Sequence, residues 1–218
     1  MSTLGTTTVA RPTMRGRTSI GIDFGTTNTV VAVAKHGEPV RAVTFQDGRE
    51  QSDIYRSVLC FEQLAASRFD VEASAGMKAI RAYLTAAYET RFIQSFKSHV
   101  ASAIFDETRI FGRGFKFEDL LSTFFRLAVR DANGQLADLG GRIVSGRPVA
   151  FAGAAPDEAL AGHRFGEAYR RIGVRDPVYA YEPIGAAYYY AQLTMRSALN
   201  LTRWCWFVIL AAAQVISR

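Results

Sequence analysis

The chain has 218 residues, of which 49% are hydrophobic and 21% charged, a composition typical of a packed globular protein. Its net charge is +6, but the 26 Lys and Arg are scattered among 20 acidic residues, so the sequence predicts no nucleic-acid partner. The two cysteines, Cys60 and Cys205, form no pair of the kind that binds a metal, which favours a reducing, cytoplasmic compartment.

The two ends of the chain differ in character from its middle. Residues 1–17 are rich in Thr and Arg and lack the apolar stretch of a secretory signal, so we expect a disordered leader. The apolar run from Trp204 to Ala213 is shorter than the roughly 20 residues that a membrane-spanning helix requires. The sequence therefore predicts no membrane partner. The alternative is attachment to a membrane through this tail. Recovery of the purified chain in the soluble fraction without detergent would count against it.

The first half of the chain carries strand signals. From Ser19 it reads SIGIDFGTTNTVVAVAKHGEPVRAVTF, in which Val- and Ile-rich runs are separated by turns at Gly25–Asn28 and His36–Pro39. This pattern predicts an antiparallel meander of three strands. Another strand is predicted at Tyr55–Phe61.

Helical periodicity begins after these strands. Apolar residues recur mostly at three- and four-residue steps between Ala73 and Ala103, which predicts a helix, either continuous or interrupted. The remaining predicted elements are a helix at 117–136, a strand at 142–151, a helix at 156–172, a short strand at 177–181 and a helix that opens at Pro183. A meander followed by strand–helix units predicts an α/β fold with a mixed sheet covered by helices.

The segment IGIDFGTTNT, at residues 20–29, is the strongest candidate for a binding site. Gly25 lets the backbone approach a ligand closely, and the amides of Thr26, Thr27 and Asn28 can point at phosphate oxygens. The threonine hydroxyls can add further donors. Considered by themselves, the same residues also suit an ordinary hairpin turn, because Gly, Asn and Thr are common turn formers.

An acidic residue, Asp23, ends the strand that leads into this turn. If the turn holds phosphates, we expect Asp23 to face the accompanying metal and to hold Mg²⁺ through a water. The sequence thus gives one candidate site for a nucleotide and its metal ion.

Three segments resemble the DnaK-type (seventy-kilodalton heat-shock) chaperones, within the wider actin and sugar-kinase fold. IGIDFGTTNTVVAV resembles their first phosphate loop, and FIQSFKSHVA places Lys97 where they carry a lysine that helps phosphoryl transfer. YEPIGAAYYY resembles NEPTAAALAY and aligns Glu182 with the active-site glutamate, although Tyr181 and Ile184 replace the family's Asn and Thr. VSGRPVAFAG lies where the family has its VPAYF strand end. Its GRPV sequence resembles the YegD-like branch more than the peptide-binding chaperones.

The resemblance implies the first lobe of an actin-like (ribonuclease H-like) ATPase domain that binds ATP and Mg²⁺. It implies that Lys97 places a positive charge on the β- and γ-phosphates and that Glu182 orients the attacking water or the metal's water shell. Considered alone, Lys97 would be a solvated lysine with a packed stem, and Glu182 an acid at a helix N-terminus. The implied partners are ATP or ADP and, for the full-length parent, unfolded clients and co-chaperones.

The family continues with a second phosphate loop of the form DxGGGTxD, whereas this chain reads LTRWCWFVILAAAQVISR. Synonymous codons can be chosen for residues 202–218 that encode AVVLVCDFGGGTSDFS in a neighbouring frame, so we infer a frameshift near residues 199–202. The alternative is a divergent but genuine strand and helix. We therefore expect a leader at 1–17, a truncated first lobe at 18–200, an aberrant tail at 201–218, and impaired hydrolysis because one half of the phosphate clamp is missing.

Two other functional classes fit parts of the sequence. One is a non-enzymatic binding or regulatory module that keeps the fold, although the presence of both Lys97 and Glu182 speaks against a long-standing loss of catalysis. The other is a sugar kinase or a cell-shape relative of actin. The EPIGAA and GRPV segments favour the chaperone branch over both.

Overall fold

A computed structural model of the chain describes residues 18–35, 38–64, 70–137 and 141–184. The predicted leader and the apolar tail lie outside these residues, as does all but the first turn of the helix predicted from Pro183. The strands are β1 (Thr18–Phe24), β2 (Asn28–Lys35), β3 (Arg41–Ala42), β4 (Phe45–Asp47), β5 (Glu50–Ser52), β6 (Tyr55–Arg56), β7 (Val58–Gln63), β8 (Val71–Ala75), β9 (Thr90–Gln94), β10 (Glu107–Ile110), β11 (Arg113–Lys116), β12 (Arg142–Arg147) and β13 (Val178–Tyr181). The helices are α1 (Gly76–Thr85), α2 (Phe117–Asp131) and α3 (Glu158–Arg171), with a 3₁₀ turn at Phe96–His99.

The main sheet has the strand order β13-β12-β1-β2-β3, and β6 also pairs with β2. The meander β1-β2-β3 is antiparallel, whereas β12 and β13 add to β1 in parallel. The predicted mixed sheet is confirmed, and its order and strand directions are those of the first lobe of an actin-like, ribonuclease H-like domain. Because β1, β12 and β13 are parallel, the residues that follow each of them meet at one edge of the sheet.

One face of this sheet packs against α2 and α3. Alternate residues of β1 point into this core, and the last of them, Phe24, is fully buried. Its ring contacts four others at centroid distances of 5.3 to 6.1 Å, those of Phe96, Phe124, Phe125 and Phe165. These aromatic contacts in the core therefore hold the end of β1 in place.

Local sequence sets the start of both covering helices. Asp119, in the first turn of α2, accepts a hydrogen bond at 2.8 Å from the backbone N–H of Lys116. Asp157 precedes α3 and accepts one at 2.9 Å from the backbone N–H of Leu160. Each carboxylate thus occupies a position where helix N-termini favour an acid.

A second sheet, β8-β7-β9, shows that the helix predicted between Ala73 and Ala103 is wrong over most of its length. Only α1 is α-helical, and Thr90–Gln94 is a strand paired with β7. The four-residue step from Phe92 to Phe96 mimics helical spacing, but the two rings belong to different elements. Phe92 packs beside α1, and Phe96 packs under the end of β1. Pairing with β7 overrides the local pattern.

Two predicted elements end earlier than expected for local reasons, and two hairpins were not expected. The strand predicted to reach residue 151 ends at Arg147, because Pro148 has no N–H to donate to a sheet. The helix predicted to reach residue 136 ends at Asp131, ahead of Asn133 and Gly134, which both have positive φ. The hairpins β4–β5 and β10–β11 were not predicted from the sequence, although Gly48 and Gly112 mark their turns.

Candidate functional site

The turn between β1 and β2 is closed by one short backbone contact. The N–H of Gly25 donates to the carbonyl oxygen of Asn28 at 2.9 Å. A Cβ at Gly25 would lie only 2.4 Å from that oxygen, so the turn requires glycine at this position. Thr26 and Thr27 are exposed at its tip, where the sequence analysis placed them.

The segment at residues 56 and 57 holds the base of this turn. The backbone N–H of Ser57 donates to the carbonyl oxygen of Thr27 at 2.8 Å, and its hydroxyl lies 2.8 Å from that of Thr29 in a buried contact. Arg56 donates to the side-chain oxygen of Asn28 at 2.7 Å. The Asn28 side chain therefore anchors the turn, which leaves Thr26 and Thr27 as its solvent-facing hydroxyls.

Lys97 and Glu182 lie 85 residues apart in sequence and form a direct ion pair. Nζ of Lys97 donates to Oε1 of Glu182 at 2.8 Å. The Lys97 side chain is only 10% exposed, and its ammonium group lies 5.9 Å from the centre of the Phe24 ring. Lys97 is thus not the solvated lysine that its isolated sequence position suggests.

Asp23 lies within electrostatic reach of this pair. Burial, and next the negative charge of Glu182, raise the pKa of Asp23 to about 6, while the positive charge of Lys97 opposes the rise. The turn begins two residues after Asp23. The structure therefore brings together all three charged residues that the sequence analysis selected.

The donor set of this edge suits a divalent cation that shares its ligands with phosphate and water. Mg²⁺ is usually bound through one or two carboxylates together with phosphate oxygens and several waters. Asp23 and Glu182 repel each other here, and a cation between them would relieve that repulsion. In the ranges given above, no group of three or more His, Cys, Asp and Glu side chains could hold a metal by itself.

Arg147 ends β12 at the same edge of the sheet. Its guanidinium lies over the rings of Phe151 and Tyr181 at 5.7 and 5.1 Å and donates to Glu158 at 3.0 Å. Tyr181 directly precedes Glu182, so a tyrosine next to the ion-paired carboxylate packs against Arg147. In the sequence, Arg147 is marked only by its place in the GRPV segment.

No family model matches the chain. A non-polymerising mutant of MamK bound to AMPPNP is similar in structure, with a TM-score of 0.46 and 19% identity over 82% of this chain and 45% of that chain. The MreB5 protein of Spiroplasma citri bound to ADP gives 0.44 and 13% over 79% and 40%. The same protein bound to AMPPNP gives 0.46 and 12% over 83% and 43%.

The chain spans less than half the length of each of these three chains. The fold assignment rests on the strand order and strand directions described above. In the part of the chain that the structure describes, no helix is long and apolar enough to cross a membrane.

Proposed function

We propose that the chain is the phosphate-binding lobe of an actin-like ATPase, with Mg·ATP or Mg·ADP as its ligand. The observation that carries this proposal is the convergence of Asp23, Lys97 and Glu182 beside a turn that only glycine can close. Three charged residues that are distant in sequence are each partly or largely withdrawn from water at one sheet edge. Such an arrangement is costly for folding, and it is typical of sites that bind or react with charged ligands.

Each residue has a separate role in this proposal. The turn offers exposed hydroxyls from Thr26 and Thr27, together with its backbone amides, to phosphate oxygens. Lys97 places its ammonium group on the terminal phosphates, and Glu182 orients a water. Asp23 would hold Mg²⁺ through a water, and the metal would supply positive charge to neutralise the phosphates.

The ion pair between Lys97 and Glu182 must loosen when phosphate arrives. A phosphate competes with Glu182 for the ammonium group because it carries more negative charge and more acceptor oxygens. Release from Lys97 would then free the Glu182 carboxylate to accept a hydrogen bond from water. The pair at 2.8 Å therefore represents the resting arrangement of the site.

We further propose that residues 18–200 form one lobe of a parent protein related to the YegD-like branch of the DnaK-type chaperones. Clients and co-chaperones would then belong to that parent. We expect DNA sequencing through the codons for residues 195–218 to show a GGGTSD-type loop in a neighbouring frame. Its absence would leave the divergent strand and helix as the explanation of residues 201–218.

A binding module without turnover is the second candidate function. It is favoured by the same ion pair, because a lysine that stays on Glu182 leaves neither residue free for catalysis. Steady hydrolysis of ATP by the full-length parent, lost on Lys97→Met, would support the enzyme. Binding without hydrolysis in that parent would support the module.

Substitution of Gly25 tests the proposed phosphate turn. In Gly25→Ala the new methyl group would overlap the carbonyl oxygen of Asn28, so the turn must open. We expect the affinity for Mg·ATP, measured by calorimetric titration, to fall at least about tenfold, which corresponds to about 1.4 kcal/mol.

Gly162→Ala is the matched control for this variant. A Cβ there meets no atom within 4 Å, so affinity should be unchanged. Equal affinities of Gly25→Ala and the unaltered chain would contradict the role of the turn. An affinity of the unaltered chain equal to that of an intact two-lobed chaperone would contradict the claim that part of the clamp is missing.

A further inference from the structure

Arg164, in the middle of α3, is a buried cation whose hydrogen bonds go to backbone. It is 2% exposed, and its Nη1 donates to the carbonyl oxygens of His99 at 3.2 Å, Val100 at 2.9 Å and Ser102 at 3.1 Å. Its Nη2 donates to the carbonyl oxygen of Phe105. One guanidinium group thus holds four carbonyls of a single irregular segment.

The surroundings of Arg164 supply little other compensation for its charge. The guanidinium lies 4.9 Å from the centre of the Phe117 ring, and the carboxylate of Glu118 lies 3.9 Å from Nε. Burying an arginine is costly unless its donors are satisfied. Carbonyl groups rather than a close carboxylate accept from both Nη atoms, whereas Nε has no hydrogen-bond partner among the described residues. The contacts of the two Nη atoms therefore fix the path of the backbone at residues 99–105, in addition to packing the core.

This fixed segment continues directly from the turn that carries Lys97. The backbone N–H of Val100 donates to the carbonyl oxygen of Lys97 at 3.1 Å, and the carbonyl of Val100 accepts from Arg164. A second tie runs from the N–H of Asp157, at the start of α3, to the carbonyl of Ala101 at 2.9 Å. Hydrogen bonds therefore link α3 to the 3₁₀ turn at Phe96–His99, which we call the Lys97 turn.

The same helix leads to the other member of the ion pair. The chain runs from α3 into β13, and Glu182 follows the last residue of that strand. Helix α3 is thus joined by covalent chain to Glu182 and by the hydrogen bonds of Arg164 to the Lys97 turn. Displacement of that turn would separate Nζ of Lys97 from Oε1 of Glu182.

We propose that Arg164 is a positioning residue that fixes the Lys97 turn against α3, so that the ammonium group lies beside Glu182 and the phosphate turn. The effect on ligand binding rests on the proposed function. The effect on the turn does not, because it follows from the carbonyl contacts alone.

Amide hydrogen exchange tests the positioning role without any nucleotide. In Arg164→Met, which keeps an unbranched side chain over Phe117, we expect the amides of Ser98, Val100 and Ser102 to lose at least about ten times more protection than those of α2. An equal loss at all of these amides would show a general effect on stability and would overturn the proposal.

Two further variants keep this test decisive. Asp131→Asn weakens another buried cluster, in which Asp131 accepts from Tyr55 and Lys78, and should lower protection without selecting the Lys97 turn. If Arg164→Met does not fold, Arg164→Lys retains the charge but cannot span the same carbonyls. We expect it to show the same selective loss at the turn, and a uniform loss would overturn the proposal.

A double-mutant cycle measures the link to the ligand. Arg164→Met should weaken Mg·ATP binding about tenfold, and adding Lys97→Met should then cause little further loss, because Lys97 is already displaced. Additive losses would overturn the link between the two residues. If the unaltered chain binds no Mg·ATP, the proposed function fails, and hydrogen exchange alone then decides the role of Arg164.

Discussion

Replacing Asp23 by Asn is expected to stabilise the nucleotide-free chain at pH 7 by up to about 3 kcal/mol. Burial and the charge of Glu182 raise the pKa of Asp23 to about 6, so the folded state holds its proton more tightly than the unfolded state does. The stabilising contribution of this proton is complete below pH 4 and is lost as the pH rises through about 6. Above that pH the ionised carboxylate remains as a cost, which the neutral amide removes.

Urea unfolding of both proteins between pH 4 and pH 8 measures this difference. The free-energy gap between Asp23→Asn and the unaltered chain should widen from pH 4 to about pH 6 and then stay constant. Asp106→Asn, which changes an exposed carboxylate, is the control, and its free energy of unfolding should stay within about 0.5 kcal/mol of that of the unaltered chain. A gap that narrows over this range would contradict the burial and repulsion that we assign to Asp23.

The same substitution should abolish the binding of Mg·ATP, because an amide is a poor ligand for the metal's water shell. Stability and binding therefore move in opposite directions at this position. That opposition is expected of a residue kept for function at the expense of the fold. A variant that is both more stable and fully able to bind would remove Asp23 from the site.

Phe24→Ala is expected to destabilise the chain by about 3 to 5 kcal/mol. The ring is fully buried between four other phenylalanines, including Phe96, which precedes Lys97. Its removal leaves a cavity under both the phosphate turn and the Lys97 turn. Urea unfolding should therefore report the largest loss among single substitutions in β1.

Tyr88→Ala serves as the control for this loss, because it removes an aromatic ring that is 53% exposed. Its effect should stay within about 0.5 kcal/mol. A loss below about 1 kcal/mol in Phe24→Ala would show that the core reorganises around the gap. The end of β1 would then not be held by the aromatic cluster.

The sequence predicts the meander and the turn at Gly25 well because their signals are local. A Val- and Ile-rich run, a glycine and a second such run determine β1, the turn and β2. The pairing of β7 with β9 depends on residues about 30 positions apart, and local spacing therefore misassigned Phe92 to a helix. Long-range pairing, rather than propensity, determines that region.

In the candidate site, too, features with a local sequence signal were predicted, and contacts between distant residues were not. Spacing alone gives no reason to place Lys97 beside Glu182, and only the resemblance suggested that they act together. Arg164 was missed because an arginine in an amphipathic helix normally reads as a surface residue. Its burial depends on carbonyl groups about 60 residues earlier in the chain. The contact between Arg56 and Asn28 likewise has no signal in the sequence.

Amide chemical shifts of the isotopically labelled chain, followed during titration with Mg·ATP, test the central claim most directly. This measurement also detects weak binding. We predict that the largest changes fall on Gly25, Thr26 and Thr27, followed by Lys97. Changes confined to other parts of the chain, or none at millimolar Mg·ATP, would contradict a phosphate site at the end of β1.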